Sequence, residues 1–239
     1  MVRLGITAES HGDAELVSGV GDAVAVEAAE WLEGQPEAFR AWRGLGDESF
    51  LDIHAATRLA RERGVRILGH FQDGPGKLDA QLYRNVFALF ADEEVAGVVV
   101  VAHDTQDEPE RIEAFKQAAG DRHWGFAAVH ACAHPEIESW LLAAFIPQDD
   151  DERAALAELK QELGFDPTIE ADQLKAGVET AKRNAKRILA ILCGHAEARE
   201  RLLAAPLDVL RERGVPSRLT AFLTDFRAAI GPCLGAGPG

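Results

Sequence analysis

Carboxylates recur directly after the apolar runs of this chain. Glu9 follows Val2-Arg3-Leu4-Gly5-Ile6, with Asp13 close behind it. Asp104 and Asp107 follow Val98-Val99-Val100-Val101-Ala102. Glu136 and Glu138 follow Phe126-Ala127-Ala128-Val129, where a helical pattern begins. Acids at the ends of several strands suit a hard divalent cation, Mg²⁺ or Mn²⁺, which takes oxygen ligands and shares them with substrate phosphates. Such an ion would orient water and offset charge on a phosphate. Glu9 and Asp104 are the candidate catalytic groups, and Glu9, Asp13, Asp104, Asp107, Glu136 and Glu138 the candidate metal ligands. Glu136 and Glu138 are two apart and do not share a helix face, so one points into the site and the other elsewhere.

Each acid also has a structural reading. Glu9 suits the cap of the following helix and Asp13 its first turn, and Asp104 and Asp107 suit the cap of helix 109–119, Asp107 fitting best two residues before Pro109. His11, His70, His103, His130 and His134 crowd the same strand ends. They are either extra ligands for Mn²⁺ or Zn²⁺ or residues satisfied by local hydrogen bonds. Lys182, Arg183, Lys186 and Arg187 form a basic patch at helical spacing. Lys182 and Lys186 are the candidate phosphate contacts, with a solvated helix face as the alternative. Gly74-Pro75-Gly76-Lys77 lacks the spacing of a phosphate-binding loop.

These residues need strands to carry them. Strands are expected over residues 2–7, 65–71, 95–102 and 124–131, and helices over 12–33, 50–63, 78–92, 109–119 and 136–145. Residues 34–48 read as a loop with a short helical piece. The uninterrupted valine run reads as a central parallel strand covered on both faces. Beyond Pro147 only helices are expected, over 152–163, 173–192, 195–204, 206–213 and 217–229. The expectation is an α/β domain over 1–147, a helical region over 148–234 and a disordered tail over 235–239.

The chain has 239 residues and a net charge of −15, which argues against nucleic-acid binding through a broad basic surface. A metal or a basic partner would offset that charge locally. Cys132, Cys193 and Cys233 form no CxxC pair, so a cysteine zinc site is not expected. No apolar run approaches the ~20 residues of a membrane helix. A cytoplasmic protein without membrane contact is expected.

The pattern of a strand ending in Glu9 and a later strand ending in the Asp104–Asp107 loop resembles the Toprim domain of topoisomerases, primases and overcoming-lysogenisation-defect nucleases. His134-Pro135-Glu136-Ile137-Glu138-Ser139-Trp140-Leu141-Leu142-Ala143 is similar to a segment of small stand-alone Toprim-related proteins, often encoded near bacterial defence ATPases. Lys182-Arg183-Asn184-Ala185-Lys186-Arg187 resembles a Lys/Arg segment in their helical tail. The Toprim aspartates are spaced Asp-x-Asp, against Asp-x-x-Asp here. The resemblance implies a mainly parallel, Toprim-like sheet flanked by helices. It also implies a Mg²⁺- or Mn²⁺-dependent phosphodiesterase, a nuclease of defence or repair acting on DNA before RNA, with a partner ATPase subunit. In that reading Glu9 is the general base or a metal contact. The alternative is a non-catalytic acidic adaptor of a defence complex. A receiver-like domain with Asp104 as phospho-acceptor is a third reading, which Glu9 and Asp13 only partly fit.

Overall fold

The valine run becomes the centre of a parallel sheet. A computed structural model describes residues 2–29, 32, 40–67, 69–72, 74–93, 97–175 and 177–234. The described strands are β1 (Val2–Ala8), β2 (Arg40–Arg43), β3 (Leu51–Asp52), β4 (Gly97–Ala102) and β5 (Phe126–Ala131). All pairings are parallel, in the order β2-β1-β4-β5, with β3 continuing the β2 edge beside Thr7 and Ala8. The helices are α1 (His11–Ala28), α2 (Ala56–Glu62), α3 (Ala80–Asp92), α4 (Glu110–Gly120), α5 (Glu138–Ala144), α6 (Asp150–Leu163), α7 (Ala185–Leu192), α8 (His195–Ala204), α9 (Leu207–Arg213) and α10 (Leu219–Leu234). The expected α/β class, with a mainly parallel sheet flanked by helices, is what forms. No described helix is long and apolar enough to cross a membrane.

The chain divides into two compact units. One comprises residues 1–103, 108–131 and 224 onward; the other comprises 104–107 and 132–223. In the first, β1 leads to β2 on one side and β4 leads to β5 on the other. Right-handed crossovers therefore place α1 on one face of the sheet and α3 and α4 on the opposite face. Val99 and Val101 pack with Phe87, Phe90 and Phe115 from α3 and α4. Val98 and Val100, alternating with them, face the α1 side and are equally buried. Continuous burial explains why β4 reads as an unbroken apolar run.

Several elements differ from expectation for identifiable reasons. Helix α1 begins at His11, because Ser10 caps it by accepting the Asp13 N–H. Its Gly21 gives room to Trp42, whose ring a β-carbon there would approach to 2.9 Å. Residues 40–43, expected as loop, form β2, where Trp42 donates to Asp22 and stacks on Phe226. The expected helix at 50–63 gives way at its start to β3 and a short 3-10 turn.

The expected strand at 65–71 does not form among its described residues. The Ile67 carbonyl accepts from Gln81, and those of Gly69 and His70 accept from Arg84, leaving no ladder for a neighbouring strand. The expected helix at 173–192 is confined to α7. Gly177 takes a left-handed φ of 100°, and Asn184 caps α7 by accepting the Arg187 N–H. Pro135 precedes α5 instead of opening it. No strand follows Ala131 among the described residues. The tail expected at 235–239, positions 30, 31 and 33 of the expected first helix and the loop positions 34–39 lie outside the described residues.

In the second unit α5 is the core. All seven of its residues are buried, and it packs against α7, α8 and α9. Trp140 stacks on Phe222 and donates to the Ser217 carbonyl at 2.9 Å.

Candidate functional site

In the first unit the strand order reverses between β1 and β4. Parallel sheets bind ligands beyond the carboxyl ends of their strands at such a point. Glu9 follows β1 and His103 follows β4, and Glu9 Oε1 stands 3.6 Å from His103 Nε2. On its other side, His103 Nδ1 lies 2.7 Å from the buried Tyr83 hydroxyl. Burial, with Arg111 and His54 nearby, pushes the His103 pKa down to about 3, so the ring is neutral. The carboxylate favours the proton on Nε2, and Nδ1 then accepts from Tyr83. Asp13 is engaged locally: the Ser10 hydroxyl donates to its Oδ2 at 2.7 Å.

In the second unit the loop 104–107 lies along the segment before α5. Thr105 N–H donates to the Ala133 carbonyl at 3.0 Å and Gln106 N–H to that of Pro135 at 2.8 Å. The Thr105 hydroxyl lies 2.7 Å from His134 Nδ1. Asp104 Oδ2 accepts the Ile137 N–H at 2.8 Å, one of the donors a helix start leaves unpaired. Gln106 and Asp107 take left-handed φ values of 47° and 66°, which the surrounding hydrogen bonds hold in place. Asp107 then faces Lys175 at 3.6 Å.

Glu136 and Glu138 are both buried; Glu136 meets an ammonium group and Glu138 an imidazole. Glu136 Oε2 stands 3.6 Å from Lys186, and Glu138 Oε1 stands 2.8 Å from His195 Nε2. Glu136 Oε1 is buried without a hydrogen-bond partner. Burial first, then the Glu138 charge, push the Glu136 pKa up to about 7, with Asp107 adding to the rise and Lys186 opposing it. Lys186 and His195 also line a cavity of about 710 Å³, with Arg187, Thr180 and Ile191. Lys182 lies before α7 instead of one turn back along it, 4.0 Å from Glu162, which Arg187 also holds.

The predicted site residues thus fall into two sets, Glu9 and Asp13 in one unit and the other acids with both lysines in the second. The charges of Glu138 and Asp107 both reach Glu136 and raise its pKa. Among the described residues no three His, Cys, Asp or Glu side chains form a ready metal-holding group. The donor set is nevertheless of the right chemistry: hard carboxylate oxygens, one of them buried and unmatched at Glu136. Tyr83, Lys175 and His195 are the functional candidates that sequence reasoning missed. Only His195, just after the helix-breaking Gly194, carried any signal. Comparison with protein-family models, curated proteins and solved structures finds no match.

Proposed function

We propose that the chain is a divalent-metal-dependent phosphodiesterase of Toprim-related type, a nuclease of bacterial defence or repair acting on DNA. The observation that carries this reading is Glu136, a buried carboxylate with one unmatched oxygen and a pKa raised to about 7, beside Lys186 and a cavity. At neutral pH it is populated in both forms, as a group that takes up and returns a proton requires. Asp107, Glu136 and Glu138 are the residues that would hold Mg²⁺ or Mn²⁺ in the second unit. A bound ion there would polarise a phosphoryl oxygen.

The chain's own groups do the rest. Lys186 offers positive charge to a phosphate oxygen at the cavity wall. Within the first unit, and apart from that site, Glu9 is suited to hold or accept a proton at Oε1, with neutral His103 fixing its orientation. Asp104 fixes the start of α5, and so the placement of Glu136 and Glu138.

A second reading has its own support. Asp104, Asp107, Glu136 and Glu138 each already have a protein partner, the Ile137 N–H, Lys175, Lys186 and His195 respectively. That pattern, with a net charge of −15, favours an acidic adaptor of a defence complex, such as the partner of an ATPase. Thermal unfolding with millimolar Mn²⁺, beside cleavage of bis(p-nitrophenyl) phosphate and single-stranded DNA, separates the two. The enzyme reading expects stabilisation and cleavage that Glu136→Gln abolishes. No shift and no cleavage in the native protein favours the adaptor.

A further inference from the structure

A second cavity, of about 460 Å³, lies in the helical unit and takes no part in the proposed chemistry. Arg153, Lys160 and Arg213 line it with the carboxylate of Asp166. Arg153 is paired with Asp150 at 2.6 Å and Lys160 with Asp166, so Arg213 is the lining cation without an ion pair among the described residues. Leu156, Ala157 and Ile169 supply an apolar wall.

The basic groups are held in place by a chain of hydrogen bonds. Arg213 Nη2 donates to Thr168 Oγ1 at 2.7 Å, and that hydroxyl donates to Asp166 Oδ1 at 2.8 Å. Lys160 holds the other oxygen of Asp166 at 2.5 Å. Asp166 is thus committed. Arg213 makes no ion pair among the described residues, and its Nε–H is buried without an acceptor. A partly buried guanidinium with no carboxylate of its own is electrostatically incomplete. Fixed donors at such a site lower the entropic cost of receiving an anion.

We propose that this cavity binds a small oxyanion carried on an apolar body, a phosphate monoester or a carboxylate, with Arg213 and Lys160 on the anion and Leu156, Ala157 and Ile169 against the body. The site is independent of the acids before α5 and does not depend on the phosphodiesterase reading.

Isothermal titration of the full chain with phenyl phosphate, phenylacetate and inorganic phosphate tests it. One aromatic probe is expected to bind saturably and at least tenfold tighter than inorganic phosphate, and the better one identifies the anion. Arg213→Gln is expected to reduce that binding at least tenfold. Because Arg213 also holds Thr168, Ala157→Glu provides a second variant. It sets a carboxylate against the same cations from an exposed helix position and is expected to abolish binding while thermal unfolding stays cooperative. Absence of saturable binding by both aromatic probes, or binding unchanged by Ala157→Glu, overturns the proposal.

Discussion

Lys186 Nζ stands 3.6 Å from Glu136 Oε2, while the other oxygen of that carboxylate is buried with no partner. The ammonium offsets only part of the cost of burying the charge. Glu136 therefore favours its protonated form in the folded chain.

That preference fixes the sign of a pH effect. The Glu136 pKa rises from 4.5 to about 7 on folding, so between those values the folded chain binds more protons than the unfolded one. Its contribution to stability is greatest at the acid end and is lost as pH rises toward 7. Glu136→Gln removes the loss and is expected to be more stable than the native chain by ~2 kcal/mol above pH 7. Urea unfolding of both proteins across this range checks it, and a difference that does not change with pH contradicts it.

His103 acts in the opposite sense. Its pKa falls from 6.5 to about 3, so the stability it contributes is full above 6.5 and is lost as pH falls through that window. The two residues partly offset each other in mildly acidic solution, and single variants separate them. The His103 ring resonances are expected to stay flat from neutrality to about pH 5. A midpoint near that of an ordinary histidine would show that the ring is not buried as described. Tyr83→Phe, which leaves Nδ1 without its donor, is expected to cost about 1–2 kcal/mol.

Glu138 depends on His195. The carboxylate is only 4% exposed, and the imidazole meets it at 2.8 Å. His195→Ala is expected to destabilise by about 1–2 kcal/mol, since half of the ring is open to solvent. His195→Gln, which keeps a donor, recovers part of the loss. Equal unfolding midpoints for the alanine variant and the native chain would remove the pair from the account.

The buried pair of Arg84 and Asp121, 2.6 Å apart, anchors α3 to the end of α4. Arg84 also lies over the Phe71 ring at 3.6 Å. Asp121→Asn leaves a guanidinium uncompensated in the core and is expected to cost about 3 kcal/mol. The double change Arg84→Met with Asp121→Leu is expected to cost less than that single one, which a denaturation cycle measures directly.

What the sequence made legible follows from how each feature is encoded. The valine run of β4 and the apolar period of α3 announce themselves, because burial on both faces or on one helical face leaves a pattern. Strand β2 does not, since four residues containing two arginines carry no alternation worth reading. The 65–71 segment misleads in the other direction. Its residues favour a strand, but side chains of α3 take its carbonyls, and no local pattern reveals a partner fifteen residues away. At the site, the acids were legible from their place after strands. Lys186 was legible within its basic patch, but its pairing with Glu136 was not, nor were Lys175 and His195 as partners, because these contacts form only when the helical unit folds.

The loop 104–107 has a consequence for how the chain is dissected. It sits between β4 and α4 in sequence, yet its backbone donors end on Ala133 and Pro135 and its Asp104 carboxylate on Ile137. A fragment ending at Ala131 keeps every described strand but strips these groups of their acceptors and donor. A fragment beginning at Cys132 loses the clamp on the start of α5. A cut between Ala131 and Cys132 therefore leaves neither piece with the whole clamp, and it is expected to disturb the arrangement of Glu136 and Glu138.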